Sequence, residues 1–179
     1  MWLGASVENA VRRVAQIAEP HLGDTWVASS HLKAPVIIAQ AQVFKAALAA
    51  LGKPAPSDFP VLRNIVVAPD RQTAIRDMGP SIADSYKIFG QWGLFTEIVG
   101  DTKPYPEFED LLKDRFIIGS PEECADQIAN LMSTTGCNRL IARIQWVGAE
   151  HKHVMRSIEL LGDEVAPIVR NVLAKSPVR

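Results

Sequence analysis

The sequence predicts an α/β fold in which a parallel sheet is covered by helices. Two observations carry this prediction. Short apolar runs alternate with longer segments whose apolar residues recur every three or four positions. The pair strand-then-helix also recurs four times along the 179 residues. Hydrophobic residues make up 47% of the chain and charged residues 22%, the balance of a packed globule. A single domain over residues 1–179 is expected, because a chain of this length buries about 70% of its unfolded surface.

Each element has a local reason. Met1 to Ala5 is a short apolar strand. Ser6 stands as N-cap of a helix with Val7, Ala10, Val11, Val14, Ala15 and Ala18 on one face. Pro20 and Gly23 end that helix. Asp24 to Ser29 is a second strand, and Pro35 opens a helix with the stripe Ile37, Ala41, Phe44, Leu48 and Leu51, closed by Gly52. Three prolines make Lys53 to Pro60 a loop. Val61 to Ala68 is the clearest strand. Asp70 caps a helix towards Lys87, which Gly79-Pro80 should kink or restart. Gly90 to Lys113 has no steady period and reads as a long excursion with a short helical turn. Ser120-Pro121-Glu122-Glu123 is a capping box that starts a helix, with Ala125, Ile128, Leu131 and Met132 buried and Gly136 at its end. Arg139 to Trp146 is the fourth strand. One last helix carries Val154, Ile158, Leu161, Val165, Ile168 and Val172.

Charge and cysteine content exclude several functions. A formal net charge of −1 offers no electrostatic footprint for nucleic acid or anionic lipid. No apolar run approaches the roughly 20 residues of a membrane span. Met1-Trp2-Leu3-Gly4 lacks the basic start of a secretory signal. Cys124 and Cys137 have no metal-ligand spacing and read as free thiols of a cytoplasmic protein. The scattered His21, His151 and His153 form no zinc pattern, so no metal is expected. No G-x-G-x-x-G turn is present, which argues against a Rossmann nucleotide site.

Two architectures fit the element order: a small open doubly wound sheet, or part of a (β/α)₈ barrel, whose complete form usually needs about 250 residues. The stretches WLGASVENAVRRVA from Trp2, GDTWVASSHL from Gly23, FPVLRNIVVAPDRQTA from Phe59, DRFIIGSPEECADQIANL from Asp114, NRLIARIQWVG from Asn138 and HVMRSIELLGDEVAPIVR from His153 together resemble luciferase-like monooxygenases. The resemblance covers nearly the whole chain but only the C-terminal half of that family. It implies four parallel strand–helix units, the fifth to eighth of a (β/α)₈ TIM barrel, completed or covered by oligomerisation. It also implies a flavin-dependent oxidoreductase that uses reduced FMN or a deazaflavin on a small organic substrate. The family's N-terminal strands, which carry most of its isoalloxazine pocket, have no counterpart here. The alternative is therefore a non-catalytic dimeric half-barrel with weak or no cofactor binding.

Barrel enzymes place their chemistry at the C-terminal ends of the strands. That rule selects Gly4, Ala5, Ser6 and Val7, where small residues lead into a helix N-terminus suited to an anion. In the resembled family this turn helps to hold the cofactor phosphate; the simpler role for Ser6 is the N-cap. Ser29, Ser30 and His31 follow the second strand, and His31 is the one candidate for hydrogen bonding to ligand or for proton transfer near pH 7, or else an exposed loop histidine. Arg63, Arg143 and Gln145 lie on strands, and both arginines are expected to face the lumen, toward an anionic ligand group or a neighbouring Asp or Glu. Trp26 and Trp146 either wall a pocket or pack the core. Cys124 reads as a buried, inert thiol. Open strand edges and an exposed lumen face call for a homodimer or a complementary half-barrel chain as partner.

Overall fold

A computed structural model describes residues 1–99 and 106–175. Five parallel strands form one sheet: β1 (Trp2–Ala5), β2 (Thr25–Ala28), β3 (Pro60–Val67), β4 (Phe116–Gly119) and β5 (Arg139–Arg143). The helices are α1 (Glu8–Ile17), α2 (Ala34–Ala50), α3 (Arg71–Gln91), α4 (Phe108–Leu112), α5 (Pro121–Thr135), α6 (His151–Leu160) and α7 (Ala166–Lys175).

The register fixes the strand order. Val61 is paired with both Ala28 and Leu140, and Asn64 with both Phe116 and Arg143. A residue has only two edges, so β5 occupies one edge of β3, while β2 and then β4 share the other. The sheet is therefore β1-β2-β3-β5, with β4 set above the end of β2. Alternation then separates the two faces. Leu3, Ala5, Trp26, Ala28, Val61, Ile65, Val67, Leu140 and Ala142 pack with residues of α1, α2, α5 and α7. Helices along one face of a parallel sheet make this half of a (β/α)₈ barrel and not a doubly wound sheet, which would be covered along both faces.

The opposite face divides along its length. At the C-terminal end, Val66, Ala68, Phe116 and Ile118 pack under Met78, Ile82 and Tyr86 of α3. Toward the N-terminal end, alternation leaves Trp2, Gly4, Thr25, Val27, Pro60, Leu62 and Ile141 on this face; Thr25 and Pro60 are buried and the other five are not. Trp2 is 47% exposed.

Several elements differ from expectation. The four residues Phe116–Gly119 form a strand that was not expected, held by β3 from Asn64 to Val67. β5 ends at Arg143, three residues earlier than expected, because its pairing with β3 ends at Asn64. α1 is capped by Val7, not Ser6, and without a side-chain hydrogen bond; the Ser6 carbonyl accepts instead from Gln40 Nε2 at 2.9 Å. α3 does not restart at Gly79-Pro80 but runs from Arg71 to Gln91 with Pro80 inside it. Pro80 turns its ring to solvent, and Gly79 lets the Phe108 ring approach to 3.2 Å of where a Cβ would stand. The last helix contains a wide π turn at Leu161–Val165 between α6 and α7. Part of the Gly90 to Lys113 excursion, 100–105, lies outside the described residues; α4 is its short helical turn.

Other boundaries follow their local signals. Asp70 Oδ1 accepts from the Thr73 N–H at 2.7 Å. Both arms of the Ser120–Glu123 capping box form, and Gly136 closes α5 in the left-handed region at φ 70°.

Candidate functional site

The turns that follow β1 and β2 lie side by side, since Ala5 pairs with Ala28. In the first turn Gly4 is exposed, Ala5 buried, Ser6 half-buried and Val7 exposed. A Cβ added at Gly4 would meet nothing within 4 Å. The second turn carries Ser29, Ser30 and His31. Ser29 Oγ accepts from the His31 N–H at 3.3 Å, which shapes the turn.

Two buried arginines clamp this second turn from below. Arg63 donates to the Leu32 carbonyl at 2.7 Å and the Asp114 carbonyl at 2.6 Å, and Arg115 Nε donates to the His31 carbonyl at 2.9 Å. Asp114 sits in the left-handed region at φ 61°, and its carbonyl also accepts from the Ala34 N–H. Arg63 therefore corrects the expectation from sequence. It shares a face with Val61, Ile65 and Val67 and points toward the helices, not into the lumen. Main-chain carbonyls accept from both of its terminal nitrogens, while its buried Nε has no partner among the described residues. Burial lowers its pKa to about 10, which keeps it charged at neutral pH.

Arg143 does face the lumen side, next to Asn64 in the register. Its guanidinium lies 5.6 Å from the Phe89 ring centre and 5.8 Å from that of Trp146. Gln145 was expected beside it, but the strand stops at Arg143 and Gln145 is exposed. Trp146 is buried against Phe116 with its Nε1 unpartnered among the described residues. Trp26 belongs to the helix-covered core, where it packs on Phe44 and Phe59 and donates to the Ala5 carbonyl at 3.0 Å.

The protonation of His31 follows from its partners. Asn64 Nδ2 donates to the Ser30 carbonyl at 3.2 Å and to Tyr86 Oη at 2.8 Å. A carbonyl can only accept, which fixes the amide orientation. Tyr86 Oη thus accepts one hydrogen bond and lies 2.9 Å from His31 Nδ1, and of the two tautomers the one with Nδ1 as acceptor also gives the Tyr86 hydrogen a partner. The Nδ1 atom is then an acceptor, and the neutral ring carries its proton on Nε2. Burial, with Arg143 and Arg115 nearby, pulls the imidazole pKa down from 6.5 to about 4. Burial also pushes the Tyr86 phenol up to about 12. At neutral pH His31 is an uncharged hydrogen-bond donor.

Asn64, Tyr86, Phe89 and Arg115 were not identified from sequence. Asn64 had a signal, a polar residue inside the apolar run VLRNIVV. Tyr86 and Phe89 had none, since their role depends on α3 crossing the sheet. One cavity of about 560 Å³ lies between β5, α5 and α7 on the other face. Another, of about 330 Å³, borders Tyr86 from the side of Phe95 and Phe108. Among the described residues no group of His, Cys, Asp or Glu could hold a metal ion. Cys124 is buried, and burial pushes its thiol pKa up to about 12, the inert state expected. Among the described residues no helix is long and apolar enough to cross a membrane.

No protein-family model matches the sequence, nor does any curated protein. Solved structures do share the fold. Monooxygenase RslO1 from Streptomyces bottropensis matches with a TM-score of 0.65 at 14% identity, over 93% of this chain and 47% of its own. The oxygenating constituent of 3,6-diketocamphane monooxygenase from Pseudomonas putida, solved in complex with FMN, matches at 0.65 and 19% identity, over 93% of this chain and 48% of its own. The coenzyme F420 dependent tetrahydromethanopterin reductase from Methanopyrus kandleri matches at 0.60 and 16% identity, over 93% and 50%. The chain thus spans about half the length of these three structures.

Proposed function

We propose that the chain is the ligand-binding half-barrel of a flavin- or deazaflavin-dependent oxidoreductase acting on a small organic substrate. The observation that carries this reading is the cluster of neutral His31 and cationic Arg143 at the C-terminal end of a parallel half-barrel. The shared fold of an FMN complex and an F420-dependent reductase supports it.

The residues present fit such a group. The first turn is open at Gly4 and leads into α1, whose N-terminus has no side-chain cap, so its N–H groups are suited to a phosphate. The unpartnered Trp146 Nε1 and Asn64 Oδ1 are buried polar atoms in the same aromatic cluster. A bound flavin or deazaflavin would supply the redox chemistry, as hydride transfer or activation of oxygen. The chain's own residues bind and orient. Gly4 to Val7 would hold the phosphate end. His31 would donate from Nε2 to an electron-rich oxygen of cofactor or substrate. Arg143, held over Phe89 and Trp146, would place positive charge beside it. Tyr86 and Asn64 keep His31 neutral and correctly turned. The two buried free thiols fit a reducing, cytoplasmic setting.

The test is titration of the purified chain with FMN and with F420, read by absorbance and fluorescence. Saturable binding of one of them is expected. Arg143→Gln should weaken it roughly tenfold or more, the worth of a charge-assisted contact. Binding of neither cofactor would instead favour the non-catalytic half-barrel.

A further inference from the structure

We propose that a second copy of this chain closes the barrel, through β1 of each copy pairing in parallel with β5 of the other. Among the described residues β1 is paired only by β2 and β5 only by β3, so each has one free edge. All pairings are parallel, and the two free edges stand at opposite ends of the order β1-β2-β3-β5. A twofold axis along the strands brings each β1 beside the partner's β5 in the same direction, and both pairings form at once. The open edges of β1 and β5 are both removed, and with them the liability that such edges carry.

Strand count and side chains agree with closure. Two arcs of four strands give eight, the number at which a barrel interior is just filled by side chains. Trp2, Val27, Leu62 and Ile141 are apolar, lie on the uncovered face and are not buried in a single copy. They are the filling that such an interior needs, and an unusual patch for a monomer. Size agrees as well. The chain matches 47% and 48% of two larger structures, so the part of those folds it lacks is about its own length. The charged residues of the site lie at the C-terminal rim, where Arg143 is packed on aromatic rings and does not obstruct the interior.

The experiment is sedimentation velocity on the whole purified chain at micromolar concentration, without cofactor. Its outcome is thereby separate from that of the cofactor reading. The expected species has twice the 19.6 kDa of one chain. Gly4→Glu should return it to 19.6 kDa with its helical circular dichroism intact, because a side chain at Gly4 meets nothing within 4 Å in one copy but would enter the closed interior. Leu62→Glu should do the same. Ile17→Glu, at a 64% exposed position of α1, should leave the assembly unchanged. A parent protein sedimenting at 19.6 kDa, as expected if a different chain supplies the other half, overturns the proposal. So does an assembly that survives both Gly4→Glu and Leu62→Glu.

Discussion

The imidazole of His31 is governed by its contact with Tyr86 and by burial beside Arg143 and Arg115. Its pKa of about 4 in the folded protein lies below the ordinary 6.5. The unfolded chain therefore takes up the proton first. Stability is fully present above pH 6.5 and is lost as the pH falls toward 4. The loss is on the order of 3 kcal/mol, at about 1.4 kcal/mol per pH unit. Urea unfolding of the parent should show this slope between pH 4.5 and 6.5, and His31→Gln should flatten it. Equal slopes in the two proteins would mean that His31 is not held as described. Tyr86→Phe removes the donor to Nδ1 and so favours the charged ring. In a proton NMR titration the His31 pKa should rise in that variant; a fall would reverse the assigned tautomer. His31 itself could be picked from sequence because it follows a strand end. Arg63 was placed on the wrong face because a buried guanidinium was assumed to need water or an anion. The carbonyls of Leu32 and Asp114 accept from two of its nitrogens.

Element boundaries were most readable where a few neighbouring residues determine them. The caps at Asp70 and Ser120 and the stop at Gly136 are local hydrogen-bond and dihedral effects, and all three stand where their residue types put them. Ser6 failed by the same reasoning. The helix begins one residue later, and Gln40, 34 positions away, engages the Ser6 carbonyl. β4 was missed because its four residues, FIIG, are too few to show a period, and its partner is a distant strand. Ser120→Ala should cost about 1 kcal/mol in a denaturant experiment, since the cap bond to the Glu123 N–H is lost. Gly119→Ala should cost more. Its φ of 153° disfavours a side chain, and the new Cβ would collide with the Glu123 carboxylate. A Gly119→Ala loss smaller than that of Ser120→Ala would show that the turn relaxes freely.

At the scale of the molecule, the helices α1, α2, α5 and α7 cover one face of the sheet, and α3 covers only the C-terminal end of the other. The repeated strand–helix order was enough to predict the parallel sheet. It was not enough to place α3, since a helix that follows a strand in sequence is expected on the outer face. That single placement brings Tyr86 and Phe89 to His31 and Arg143 and so creates the site. The central claim is that this rim is where the ligand binds. The most direct measurement is the His31 imidazole proton signal during separate titrations with FMN and F420. The signal should shift saturably with one of them while the ring stays neutral at pH 7. A cofactor that binds without moving His31, or no binding of either, would contradict the claim.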